Sequence, residues 1–330
     1  MIDSNPLPEF PESHSPKSAP LQRRRDFLRI PVYTLVVSQT LFRVIPEFRP
    51  GMAGVVCWLF GLELVPLFAR IILGLALVSA AFRRPFWTKR RVFLWGLLVL
   101  LALSDALFAR YPSSFDGRPS RVPFRVPLDG PVTVGWGGGT PSENYHVVAP
   151  DQRWAYDLLV TQNGQSHKGE GQLLTDYHIY DMKILSPCDG EVVAVFKDDP
   201  DMPVGELGGG TTPAGNHVVL KVSPDEYLWL CHLRPRSALV RQGDRVKRGD
   251  PLGRVGNSGN TSEPHLHIHL QNTPLAGFAE GIPLPFHDYK TADGRFVEKG
   301  IPTGGIGPDG SLLGQVIENA SLVPADSPKE

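Results

Sequence analysis

Apolar residues fall in long blocks before residue 110 and in short, punctuated runs after residue 130, and the two patterns predict different structures. In the first third, apolar material returns three times. A run over about 30–46 carries Arg43, and a longer region over 51–82 contains Glu63 and Arg70. The third, RVFLWGLLVLLALSDALFAR at 91–110, is about one bilayer long at 1.5 Å per residue. The 51–82 region is too long for one upright crossing, so its second half is expected to span and its first half to lie in the interface or elsewhere in the bundle. Glu63 and Arg70, seven apart, could share a helix face inside that bundle, which suits pairing or packing better than catalysis.

Beyond residue 130 the period changes. GEVVAVF at 190–196, GNHVVLKV at 215–222, EYLWLCHL at 226–233 and HLHIHL at 265–270 are short β-branched or alternating runs bounded by turn residues. No interval between them holds three turns of a 3.6-residue apolar pattern. The fold class predicted is all-β and antiparallel, preceded by a transmembrane helical region. The long insertions at 161–180 and 199–214 read as surface loops beside the sheet, where substrate contacts are commonly made.

The expected organisation is therefore a disordered cytoplasmic tail over 1–28, a helical membrane region over 29–110 with three spans, and a Pro/Gly/Ser-rich linker over 111–129. A β-rich domain over 130–305 follows, with a C-terminal extension over 306–330 that either covers an edge strand or is flexible. Basic residues orient the spans. Arg23, Arg24, Arg25 and Arg29 precede the first run, and Arg83, Arg84, Lys89, Arg90 and Arg91 separate the second from the third. Positive charge stays in the cytoplasm, so three crossings deliver residue 111 to the outside. A secretory signal would show one apolar core with a cleavage site rather than three returns. The competing reading is a helical hairpin buried in a soluble protein.

Charge and composition narrow the function. Lys and Arg number 33 against 34 Asp and Glu, net −1, which removes the electrostatic case for a nucleic-acid binder. Glycine (34) and proline (32) make up a fifth of the chain, against the usual ~12 percent, and argue against long soluble helices. Three cysteines cannot make a disulfide framework, although Cys188 with Cys231 remains one available pair in an oxidising compartment.

The chemistry concentrates in NSGNTSEPHLHIHL at 257–270. In a strand, His265, His267 and His269 share one face, and converging imidazoles can bind a metal such as zinc when a carboxylate or another histidine joins them. The bland alternative is a solvated polar face. NYHVVAPDQRWAYDLLV at 144–160 supplies His146 and Asp157, and His232 ends an apolar strand, where it could equally be a buried, hydrogen-bonded side chain. Gly243, Gly249, Gly253, Gly256 and Gly259 read as tight turns, because no GK[ST] or strand-to-helix transition accompanies them.

Taken in order, SPCDG at 186–190, CHL at 231–233, VRQGDRVKRGDPLGRVGNSG at 240–259 and PHLH at 264–267 resemble the zinc metallopeptidases of the lysostaphin-type peptidoglycan endopeptidases, the M23 or LytM-like family. The resemblance covers roughly 130–275. It implies a Zn2+ cofactor, His267 and Asp157 as zinc ligands, and His232 and His265 as the catalytic histidines. The family's first ligand histidine normally lies four residues before the aspartate, where this chain has Arg153. The variant pattern of NxH followed by QxxAyD makes His146 the ligand instead. His269, where many relatives have glutamate, is expected to support a ligand rather than occupy the position that a catalytic zinc keeps open. Asn216 is expected on the substrate side by the same resemblance, or in an ordinary turn.

The implied activity is zinc-dependent hydrolysis of peptide bonds in peptidoglycan stems or crosslinks. It would be exercised by a multi-pass protein of the bacterial cytoplasmic membrane with its catalytic domain in the periplasm or outside the cell. Peptidoglycan peptides and the bilayer are the expected partners, with a regulatory envelope protein as a further one. The alternatives are a non-hydrolytic envelope regulator on the same scaffold and a zinc peptidase acting on an envelope protein. No HExxH occurs, so a helix-borne glutamate base is not part of the expectation.

Overall fold

A computed structural model describes residues 28–82, 85 and 87–320. Nearly all of the expected tail, with Arg23, Arg24 and Arg25, lies outside the described residues, as do Arg83, Arg84 and 321–330. The helical region begins with α1 (Arg29–Phe48). Then α2 (Met52–Leu59), a π-helical turn (Phe60–Leu64) and α3 (Val65–Ala81) run on as one 30-residue helix, Met52–Ala81. At 1.5 Å per residue that is about 45 Å. The apolar region at 51–82 is thus a continuous rod rather than the two differently placed halves expected. Its π turn ends two residues before Pro66, whose ring and missing N–H disturb an α ladder, and a π turn absorbs such a fault without breaking the helix.

Among the described residues this is the one helix long and apolar enough to cross a membrane. The third run is shorter than expected. Its α4 (Lys89–Ala102), capped by the Thr88 side chain, gives way to a 3-10 turn over Ser104–Leu107. Arg70 does not pair with Glu63. Its guanidinium donates to the Ala102 carbonyl at the end of α4 and meets Asp105 at 3.1 Å, a cation where the helix dipole favours one. The helices pack around Val32, Val65, Ala69, Leu94 and Leu98, while Ile71, Leu75, Val78 and Leu100 face outward.

Among the described residues twelve strands follow: β1 (Val132–Trp136), β2 (Tyr156–Leu159), β3 (Lys183–Leu185), β4 (Gly190–Phe196), β5 (His217–Ser223), β6 (Glu226–Cys231), β7 (Arg245–Val246), β8 (Pro251–Arg254), β9 (Leu266–Gln271), β10 (Phe286–Thr291), β11 (Phe296–Gly300) and β12 (Val316–Asn319). Ten form one antiparallel sheet in the order β11-β10-β12-β1-β2-β9-β6-β5-β4-β7, and β3 pairs with β8. Residues 306–320 neither cap an edge nor hang free, since β12 is inserted between β10 and β1.

Period-two alternation divides the central strands cleanly. Tyr156 and Leu158 of β2, Leu228 and Leu230 of β6, and Leu266, Ile268 and Leu270 of β9 enter the main core. Their neighbours Asp157, Trp229, Cys231, His267, His269 and Gln271 take the opposite face. The linker joins the core as well, through Phe124, Val126 and Leu128. Cys188 and Cys231 are free thiols in separate clusters, so the available disulfide is not formed.

Candidate metal centre

Cross-strand pairing assembles the centre. Asp157 on β2 lies directly opposite His267 on β9, and Cys231 on β6 lies opposite His267 on its other side. A 3-10 turn over Tyr145–Val148 brings His146 to the same place. His267 Nδ1 is 2.8 Å from Asp157 Oδ1, and His146 Nε2 is 3.6 Å from Asp157 Oδ2. Possible ligand atoms of His146, Asp157 and His267 all lie within 4.8 Å of one another, and so do those of His232, His265 and His267. Ligands ~2.0–2.1 Å from a tetrahedral zinc stand about 3.4 Å apart, which the two Asp157 distances bracket.

Each imidazole is held by a partner of fixed polarity. Asn144 donates from Nδ2 to the carbonyls of Gly138 and Ala155, so its Oδ1 must accept from His146 Nδ1 at 2.9 Å. His146 Nε2 is left as a lone pair facing Asp157. Gln271 donates to the carbonyls of Thr273 and Leu275, which turns its Oε1 to His269 Nε2 at 3.1 Å. His269 Nδ1 is then an acceptor, 3.0 Å from His267 Nε2. His267 in turn directs Nδ1 at a carboxylate. Two buried lone pairs and an anion converging on one point favour a cation between them, and this donor set suits zinc.

The other two histidines are oriented in the same manner. His232 Nδ1 donates to the Ser258 carbonyl (2.8 Å) and His265 Nδ1 to the Glu263 carbonyl (2.8 Å), so both present Nε2 to the centre. His232 has φ +62°, a left-handed backbone unusual for a residue with a side chain, and such strain gathers at functional sites.

Environment separates the groups. Burial would raise the Asp157 carboxyl, but the imidazoles of His146 and His265 facing it hold it well below the carboxylate range. Burial lowers His146 to about 3 against the attraction of Asp157. His232 and His269 are also lowered well below the imidazole range, first by burial and then by neighbouring imidazoles. His265 goes the other way: burial opposes its charge, yet Asp157 and the Glu263 carbonyl raise it.

Asn216 does not reach the substrate side. It is fully buried, accepts from Asp199 N–H, and donates to the carbonyls of Asp199 and Leu233. It braces the turn that carries His232. Arg153, at the usual ligand position, points elsewhere, donating to the carbonyls of Tyr111 and Gly139. Sequence reasoning passed over Asn144, Tyr145 and Gln271. Tyr145 donates to Asp157 Oδ2 at 3.1 Å, and its place in NYH beside His146 was the available signal. A cleft of about 320 Å³ opens over Asp157 and His265, bordered by Trp136, Tyr145, Leu207, Glu263, Ile306 and Leu312. Leu207 belongs to the 199–214 loop, and Ser166 of the 161–180 loop donates to Glu263, so both insertions border the centre.

Residues 175–276 match peptidase family M23. The match includes His232, His265, His267, His269 and Gln271, whereas His146 and Asp157 precede it. The peptidoglycan DD-endopeptidase ShyA of Vibrio cholerae is 32% identical over 133 residues, 36% of this chain and 30% of that protein. ShyC of the same organism, also a peptidoglycan DD-endopeptidase, is 32% identical over 97 residues, 26% of this chain and 22% of its own. The chain thus spans less than a third of either relative. The catalytic domain of lysostaphin from Staphylococcus simulans aligns at 18% identity over 46% of this chain and 86% of its own, with a TM-score of 0.28.

Proposed function

This chain carries a peptidase family M23 domain, and on that premise we propose that it is a zinc endopeptidase cutting the peptide stems or crosslinks of peptidoglycan. The observation carrying this reading is the convergence of His146 Nε2, Asp157 and His267 Nδ1 beside two further histidines, with Asp157 and His265 lining the cleft above them. We assign His146, Asp157 and His267 as the ligands. Zinc bound there supplies a Lewis acid for the scissile carbonyl and lowers the pKa of water toward ~7.

The chain's own residues do the rest. The proton of His232 Nδ1 is committed to Ser258, and burial keeps the ring neutral, so its Nε2 is placed to take a proton from the attacking water. His265, whose charge Asp157 favours, is the group to stabilise the oxyanion and deliver a proton from Nε2 to the leaving amine. His269 steadies His267, and Tyr145 steadies Asp157. The same reading sets the helical region in the bacterial cytoplasmic membrane with the domain on its outer side, a placement that the apolar helix Met52–Ala81 supports.

The test is mass-resolved analysis of peptidoglycan incubated with the zinc-loaded full chain and with its His267→Ala variant. New peptide termini from the unaltered protein alone are expected, and they identify the bond. Intact peptidoglycan from a folded, zinc-loaded protein overturns the assignment and favours a non-hydrolytic regulator or a peptidase for an envelope protein.

A further inference from the structure

The hydrogen-bond chain behind the centre does not end at His269. Gln271 is fully buried, two positions further along β9 and on the same face, since side chains of i and i+2 point alike. Its amide is the member of this series whose donor end is fixed by groups that cannot change polarity. Nε2 donates to the carbonyls of Thr273 (2.6 Å) and Leu275 (3.3 Å), and Oε1 accepts from His269 Nε2 (3.1 Å). Turning the amide over would set an oxygen against two carbonyl oxygens.

We propose that Gln271 is a positioning residue for the metal centre, fixing through His269 which nitrogen of His267 faces the ion. With Oε1 held toward His269, its Nε2 must carry the proton and its Nδ1 must accept from His267 Nε2, 3.0 Å away. That leaves Nδ1 of His267 as the atom presented to Asp157, 2.8 Å from Oδ1. The opposite tautomers would place lone pair against lone pair between His269 and Gln271. Stacking of His269 on Trp229, with centroids 5.7 Å apart and planes within 12°, keeps the middle ring from rotating out of line. The backbone turn over 273–275 thereby sets ligand geometry across two imidazoles, without touching the ion.

The inference rests on the proposed zinc site, and the experiment separates the two. Full-length protein in detergent, with 15N-labelled histidines, reads the tautomers in the zinc-free state, and chelator competition reads zinc affinity. His269 is expected with its proton on Nε2. Gln271→Met, similar in shape without the amide, is expected to mix the His269 tautomers and weaken zinc binding ten- to a hundredfold. Gln271→Glu, which keeps an acceptor for His269 and can donate to Thr273 when protonated, is expected to stay within about threefold of the unaltered protein.

A His269 proton found on Nδ1 in the unaltered protein overturns the proposal. So does undiminished zinc affinity in a Gln271→Met variant that melts with the unaltered protein. Should Gln271→Met fail to fold, the tautomer of the unaltered protein and the Gln271→Glu affinity decide. An unaltered protein with the expected tautomer but no zinc binding refutes the metal site while leaving the hydrogen-bond chain standing.

Discussion

All five histidines of the centre have one ring nitrogen committed to a neighbouring acceptor: Asn144, the Ser258 carbonyl, the Glu263 carbonyl, His269 and Gln271. Asn144→Leu removes one such acceptor and also strands the carbonyls of Gly138 and Ala155. Each unsatisfied buried group costs about 1–3 kcal/mol, so the variant is expected to melt lower, and calorimetry of the zinc-free protein checks it. If the proposed zinc site is correct, the variant's zinc affinity falls ten- to a hundredfold in chelator competition. The buried thiols give a prediction with a sign. Burial, helped by Asp189 and Glu226, pushes Cys188 up to about 12, and burial then Asp157 raise Cys231 further. The unfolded chain loses these protons at lower pH than the folded one, so their contribution to stability is complete below the ordinary thiol range and disappears as pH rises toward 12. Melting temperatures should fall between pH 8 and 10, and both cysteines should resist alkylation until the protein is denatured. The histidines that the fold gathers were legible because order and alternation sit in the local sequence. Gln271 was not, since only its contacts with Thr273 and Leu275 distinguish it from any glutamine ending a strand.

At the level of elements, the strands read most easily were those with sustained alternation. GEVVAVF is β4 as expected, and the runs at 215–222, 226–233 and 265–270 differ from β5, β6 and β9 only at their ends. Of the strands that escaped, β12 has four residues, and its partners β1 and β10 lie far off in sequence. Nothing local marks such a segment as an interior strand. Its approach is nevertheless demanding. A Cβ on Gly314 would lie 1.6 Å from the Val134 carbonyl oxygen, whereas one on Gly310 meets nothing within 4 Å. Gly314→Ala is therefore expected to destabilise the sheet by about 3 kcal/mol or more. Gly310→Ala, strained only by its φ of +82°, should cost about 1–2 kcal/mol. Thermal unfolding of the two variants tests the contrast, and equal losses would refute it.

For the molecule as a whole, the helical region and the linker are joined to the β-rich domain by specific contacts. Trp58 donates to the Val148 carbonyl at 2.8 Å, Tyr111 to Glu280 at 3.0 Å, and the buried Arg153 to the Tyr111 carbonyl. Val148 ends the turn that carries His146. Trp58→Phe keeps the ring but removes the donor, and is expected to speed amide hydrogen exchange over 145–149 while leaving β4 and β5 unchanged; unaltered exchange at 145–149 would refute this coupling. Contacts between segments 90 residues apart leave no periodic trace, which is why the linker reads as a spacer in the sequence. The pairing of Asp157 with His267 is longer still, bridging 110 residues. Closing a flexible loop of that size costs roughly 4 kcal/mol of chain entropy before any contact within it repays the loss. Formation of β5 and β6, neighbours in both sequence and space, shortens the span that remains to be closed. Assembly of the proposed metal centre is thus a property of the completed topology. A growing or half-threaded chain holds one half of the centre at a time, and the full donor set appears at the last long-range closure rather than by degrees.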